Sequence, residues 1–225
     1  MKTRALIALA LCVPFPTIGV AFGMIIAPDT VFGKSIFFVS KVWILLLPLV
    51  WHVFVEKNRP SFSRSLRGGF GVAAAMGLII SAGIVVAYLV FARQWIDANA
   101  LKSMAENIGL SDVRVYLAGC LYWILINSVL EEYVWRWFVF KQFERLVPSK
   151  LAVVASALSF TIHHVVAMQV YFNWFVTIIC SLGIFIGGTL WSWCYMRYRS
   201  IWPGYLSHAI VDIAVFGLGY VLIFT

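Results

Sequence analysis

Seven apolar runs of about 20 residues, the length a helix needs to cross the hydrocarbon core of a bilayer, constrain this chain more than any other feature. They lie at Ala5 to Ala27, Ser35 to Val55, Gly69 to Ala92, Val115 to Phe140, Leu151 to Met168, Asn173 to Tyr195 and Ile201 to Phe224. The residues are 63% hydrophobic and 12% charged, against roughly 25% charged in a soluble domain. The expected fold is therefore all-α, a polytopic transmembrane bundle of about seven spans. One membrane-embedded domain, 1–225, is expected, with no soluble domain, low-complexity stretch or convincing internal repeat.

The basic residues give the spans a direction, because cytoplasmic loops are enriched in Lys and Arg. Lys2 and Arg4 start the chain. Lys57, Arg59, Arg64 and Arg67 follow the second run, Lys141, Arg145 and Lys150 the fourth, and Arg197 and Arg199 the sixth. The alternate connections hold only Lys34, Arg93, Lys102 and Arg114, partly balanced by Asp29, Asp97, Glu106 and Asp112. This pattern predicts a cytoplasmic N-terminus and an outer C-terminus. The net charge of +8 then reads as a topology signal and an affinity for the anionic bilayer surface, not as nucleic-acid binding. The first run reads as a span rather than a signal peptide: it continues past an h-region, lacks a clear small-x-small cleavage site, and carries Pro14 and Pro16 as a tolerable kink.

Outside the spans, Leu101, Met104 and Ile108 fall at helical spacing between Arg93 and Arg114, which suggests an interfacial helix with Trp95 at headgroup depth. Gly69, Ala73, Gly77 and Ser81, and again Gly183 and Gly187, place small residues four apart and predict close helix packing. Cys12, Cys120, Cys180 and Cys194 sit singly in apolar runs, without CxxC spacing, and read as small core residues.

Charge inside a span needs compensation, since an ionised carboxylate costs about 2.5 to 3.5 kcal/mol there on insertion scales. Glu131, Glu132 and Asp212 lie inside the runs, and His52, His163, His164 and His208 lie in them or at their edges. Glu132 and Arg136 are four apart, in the order that suits an ion pair on one helix face. That leaves Glu131 to face elsewhere, with Asn127 one turn back as a hydrogen-bond donor. His163 and His164 point to different faces, so only one is expected to meet Glu131. His208 and Asp212, one turn apart, share a face. At 1.5 Å per residue from the cytoplasmic ends, Glu131 lies about 14 Å deep, His208 about 10 Å, Asp212 about 16 Å and His164 about 20 Å, close enough to meet near mid-membrane. His52, beside Trp51 at a helix end, reads as an interfacial polar residue.

These residues form three patterns on three spans: EExxxR at Glu131, Glu132 and Arg136; FxxxH at Phe160 and His164; HxxxD at His208 and Asp212. Together they resemble the motifs of the CAAX prenyl protease and bacteriocin-processing family, also called the Abi family of glutamic intramembrane proteases, whose third motif is HxxxN or HxxxD. The resemblance covers roughly Leu130 to Ile213, within a protease core of about 115–225; the first three runs contribute only hydropathy. It implies peptide-bond hydrolysis without metal or cofactor. Glu131 would deprotonate the attacking water with help from His164, His208 and Asp212 would polarise and stabilise the oxyanion, and Glu132, Arg136 and Phe160 would support them. An ionised aspartate can only accept a hydrogen bond. Either Asp212 is protonated, or it orients a cationic His208 that donates; the second is favoured.

Two other readings fit the same residues. Glu131, His164, His208 and Asp212 match zinc ligands in type, although no HExxH is present. A non-enzymatic immunity or binding protein, or a proton-coupled carrier, would also keep ionisable groups in the bilayer. The expected partners are the lipid bilayer and a membrane-associated peptide or protein, whether prenylated, a leader or a sorting tail, and the expected location is a prokaryotic plasma membrane.

Overall fold

Each apolar run is helical in the computed structural model, which describes residues 2–59 and 63–225. Among the described residues, seven helices are long and apolar enough to cross a membrane: α1 Lys2–Ile26, α2 Val31–Val55, α3 Phe70–Trp95, α5 Val113–Glu144, α6 Ser149–Tyr171, α7 Trp174–Tyr198 and α8 Ile201–Phe224. The short α4, Ala98–Asn107, occupies the connection where an interfacial helix was expected and packs against α8.

Polar residues just outside the apolar runs set several helix starts. A side-chain oxygen there accepts one of the first backbone N–H groups, which have no partner within the helix. Thr30 accepts from Gly33, Asp97 from Asn99 and Ala100, Asp112 from Arg114, Asn173 from Val176 and Ser200 from Trp202. The Thr30 cap is why α2 begins at Val31 and not at Ser35. Regular α-helix in α1 ends at Cys12 and resumes at Pro14, as expected where prolines remove backbone donors. Apolar periodicity does not reveal the π-helical stretches: Phe22–Ile26, Trp51–Val55, Tyr88–Ala92, Trp123–Asn127 and the nine-residue Glu132–Phe140.

Small residues let α3 lie close against α8. Ala73 is fully buried, a Cβ at Gly77 would come within 2.9 Å of the Ser207 carbonyl oxygen, and the Ser81 hydroxyl donates to the Ile210 carbonyl at 3.2 Å. The expectation for α7 needs correcting. A Cβ on Gly183 would meet nothing within 4 Å, and one on Gly187 would first meet Trp191 of its own helix, whereas Gly188 faces Phe160 and Ala157 of α6. The contact face is set one residue along the helix, by Gly188. The four cysteines are free, with Cys12, Cys120 and Cys194 buried.

The chain start and the connections after α2, α5 and α7 gather at one end, as the basic pattern requires of loops on a common side. Arg4 donates to the Val55 carbonyl at 3.2 Å, Arg145 pairs with Glu56 at 2.6 Å, and Arg199 grips both oxygens of Glu144 at 2.7 and 2.8 Å. His52 belongs to this cluster, 3.5 Å from Glu56. Partial burial pushes the Glu56 carboxyl up, but hydrogen bonds from Arg145 and Gln142 and the nearby Arg145 and His52 charges outweigh it, so it sits below its ordinary 4.5. A carboxyl lowered on folding stabilises above its unfolded value and loses that contribution as pH falls through the folded one. Melting of the detergent-solubilised protein is therefore expected to drop on acidification below about pH 4.5, with Glu56→Gln flattening that part of the curve.

Candidate active site

On α5, Glu131 ends a short α-helical turn, Ser128–Glu131, with a π-helical stretch on either side. Such widened turns recur at functional sites. The Asn127 amide donates to Glu131 Oε1 at 2.9 Å, the i, i+4 contact expected from the sequence. Glu131 keeps 17% of its side chain exposed and Asp212 keeps 18%, while Glu132 and Arg136 keep none. Of the three carboxylates within the apolar runs, Glu131 and Asp212 can be reached from outside the protein and Glu132 cannot.

Glu132 does more than neutralise Arg136. Its Oε1 lies 3.2 Å from Arg136 Nη1 and 3.1 Å from His208 Nδ1, so one buried oxygen joins the first motif to the third. Its Oε2 rests against Gly204 of α8, one turn before His208, where an added Cβ would lie 2.5 Å away. Glycine at 204 therefore allows α8 to approach closely enough for His208 to reach Glu132. The Arg136 guanidinium lies over the rings of Phe160, at 4.5 Å, and Trp191, at 5.2 Å, an arrangement that stabilises a buried cation. Phe160 also touches His164, with ring centres 4.5 Å apart, so one ring contacts both the Arg136 guanidinium and the imidazole of its own motif.

The His208 ring stacks on Trp191 at 3.9 Å and presents Nε2 toward Glu131 Oε2 at 3.6 Å and Asp212 Oδ1 at 3.9 Å. The expected His208 to Asp212 pairing is thus present at ion-pair distance, but it is not the shortest contact of the ring. The Nδ1 contact goes to Glu132, and Asp212 also meets the Ser128 hydroxyl at 2.6 Å. That hydroxyl also lies 2.9 Å from the Trp123 carbonyl. With a single proton it can donate fully to only one of the two.

His164 Nδ1 sits 2.9 Å from the Phe160 carbonyl, which can only accept, so Nδ1 carries a proton and Nε2 is the nitrogen left for chemistry. Both neighbouring histidines lie near Glu131. The His163 and His164 rings are 4.0 Å apart, and each, with Glu131, offers a ligand atom in a group whose members all lie within 4.8 Å of one another. The zinc quartet read from the sequence thus gives way to Glu131, His163 and His164 as the group that could hold a metal ion; His208 and Asp212 are not in it.

Ser128, Trp191 and Gly204 do not announce themselves in the sequence, because serine, tryptophan and glycine are ordinary in membrane helices. Lys41 does: it is a charge inside the second apolar run, and a reading confined to acids and imidazoles passes over it.

No curated protein and no solved structure matches this chain. Residues 114–214, a little under half of it, match the family model described as Rce1-like, type II CAAX prenyl endopeptidase. That stretch contains Glu131, Glu132, Arg136, Phe160, His164, His208 and Asp212, and the match supports the CAAX prenyl protease and bacteriocin-processing family for this part of the chain.

Proposed function

We propose that this protein is an intramembrane endopeptidase in which Glu131 activates the water that attacks a peptide bond. The observation that carries the reading is the setting of Glu131: reachable from outside, held by Asn127, and close to both His164 and His208. Water held between the Glu131 carboxylate and His164 Nε2 gives a proton to Glu131 while its oxygen attacks the scissile carbonyl carbon. Both nitrogens of His208 face carboxylates, which only accept, so a doubly protonated ring satisfies both sides. Its Nε2–H then donates to the oxyanion, the kind of fixed donor that commonly contributes most to rate. On collapse the C–N bond breaks, and Glu131 passes its proton to the leaving nitrogen.

Asp212 balances the His208 charge and is itself placed by Ser128. Asparagine keeps an oxygen for the Ser128 hydroxyl, so Asp212→Asn is expected to retain activity within about tenfold, and Asp212→Ala to lose roughly a hundredfold, the scale of one oxyanion contact. Turnover of a fluorogenic peptide by the two purified variants checks the order; equal losses would remove Asp212 from the site.

The family description points to a prenylated C-terminal CAAX-type peptide as the substrate class. The basic end of the bundle is proposed to face the cytoplasm, in the plasma membrane of a prokaryotic cell. Comparative peptidomics of cells carrying wild-type protein or Glu131→Gln tests the whole reading. A membrane or secreted peptide whose terminus changes between the two is the expected result, and an identical set of termini would defeat the proposal.

A zinc peptidase is the second reading, favoured by the Glu131, His163 and His164 cluster, since three such ligands with an open fourth position describe a catalytic zinc site. Metal analysis of the purified protein separates the two. Stoichiometric zinc whose removal abolishes cleavage, and which His163→Ala also removes, would replace the glutamic mechanism.

A further inference from the structure

Lys41 is a charge in the wrong place for a structural lysine. It lies in α2, ten residues from Val31 and fourteen from Val55, hence about 15 Å and 21 Å along the helix from its ends. That is deeper than a lysine stem can reach by snorkelling toward headgroups. Intramembrane cations are expected to pair, yet among the described residues no carboxylate lies within 4 Å of its ammonium. Its ammonium lies over the Phe37 ring of its own helix, 5.7 Å away. The ammonium side chain is exposed.

The packing sets Lys41 beside the candidate site. The Tyr133 hydroxyl of α5 donates to the Leu45 carbonyl of α2 at 3.1 Å, and both helices run toward the end where Arg145 meets Glu56. Lys41 is one turn before Leu45, about 6 Å back along α2, and Glu131 is two residues before Tyr133, about 3 Å back along α5. The ammonium and the site thus lie at one level of the bundle. Lys41 is also within electrostatic reach of Glu131, His163 and His164.

We propose that Lys41 is a specificity residue that binds a carboxylate of the peptide substrate beside the bond being cut. The chemistry follows from what the ammonium lacks: a compact cation in a low-dielectric setting gains most from a carboxylate brought to it, and Glu131 is near enough to hold that anion close to the attacking water without forming the pair itself. The carboxylate can be the substrate's chain terminus or an acidic side chain. This inference rests on the peptidase reading.

The test uses full-length protein and an S-prenylated peptide ending in cysteine, two aliphatic residues and glutamine. Three forms are compared: free C-terminal acid, C-terminal amide, and an amide whose last residue is glutamate. Binding to Glu131→Gln protein, where turnover is blocked, is expected to favour the acid over the plain amide by at least roughly tenfold, the scale of a charged hydrogen bond. Lys41→Met on that background collapses the preference, and Lys41→Arg restores part of it. In protein with Glu131 intact the Lys41→Met loss falls in KM. If the glutamate amide binds like the acid, Lys41 reads any carboxylate; if it binds like the plain amide, Lys41 reads the chain terminus; both support the assignment. Equal binding of acid and amide, no binding of either, or a kcat loss equal for both would overturn it. Acid-selective binding without turnover by the wild-type protein upholds Lys41 and sinks only the peptidase reading.

Discussion

Glu131→Gln is expected to lower turnover of a cleavable membrane peptide by about a thousandfold or more, near the upper part of what a positioned general base contributes. Glutamine preserves the shape of the side chain and an oxygen for the Asn127 amide, so the contact at 2.9 Å can survive. What it removes is the ability to take a proton from water. Because Glu131 is partly exposed and makes no buried ion pair of the Glu132 type, the melting temperature should change little, which separates loss of chemistry from loss of fold. Glu131→Asp retains the carboxylate but withdraws it by one methylene from His164 and His208, and should fall between the two. Single-turnover assays in detergent or nanodiscs measure the series. Glu131→Gln turnover within tenfold of wild type would show that the attacking water is activated elsewhere.

How far these contacts could be read in advance depended on whether they lie within one helix. The spans, the Asn127 to Glu131 hydrogen bond and the Glu132 to Arg136 pair are all local, and helical geometry alone brings residues four apart together. Depth along the helices was enough to bring Glu131, His164, His208 and Asp212 to one level, but the individual contacts between helices were not legible. The pairing of His208 with Asp212, its neighbour on α8, is local, but the shorter contact comes from Glu132 of α5, through a close approach that depends on the missing side chain of Gly204. Asp212 is placed by Ser128, 84 residues earlier in the chain. The relation of Glu131 to both His163 and His164 depends on where α6 sits against α5, which a rule about faces of one helix cannot supply. The π-helical stretches around Glu131 leave no trace in a pattern that is apolar nearly throughout.

Glu132 yields the other large expected effect, this time on stability. Glu132→Ala leaves Arg136 wholly buried without a counter-charge and leaves His208 Nδ1 without its acceptor. Breaking a buried pair from one side typically costs about 3 to 5 kcal/mol, a large part of the stability of a domain this size. Arg136→Met is expected to be milder, because Glu132 still has His208 as a partner. The combination of Glu132→Gln with Arg136→Met separates architecture from chemistry. It removes both buried charges at once, and neutral replacements of a buried pair are often tolerated or stabilising, so melting should recover toward that of the wild-type protein. Turnover should not recover, because glutamine gives His208 Nδ1 only a neutral acceptor and no longer favours the doubly protonated ring. If Glu132 served only to neutralise Arg136, activity would return with stability in the double variant. Stability regained while cleavage stays at least roughly a hundredfold down would make Glu132 the residue that orients His208.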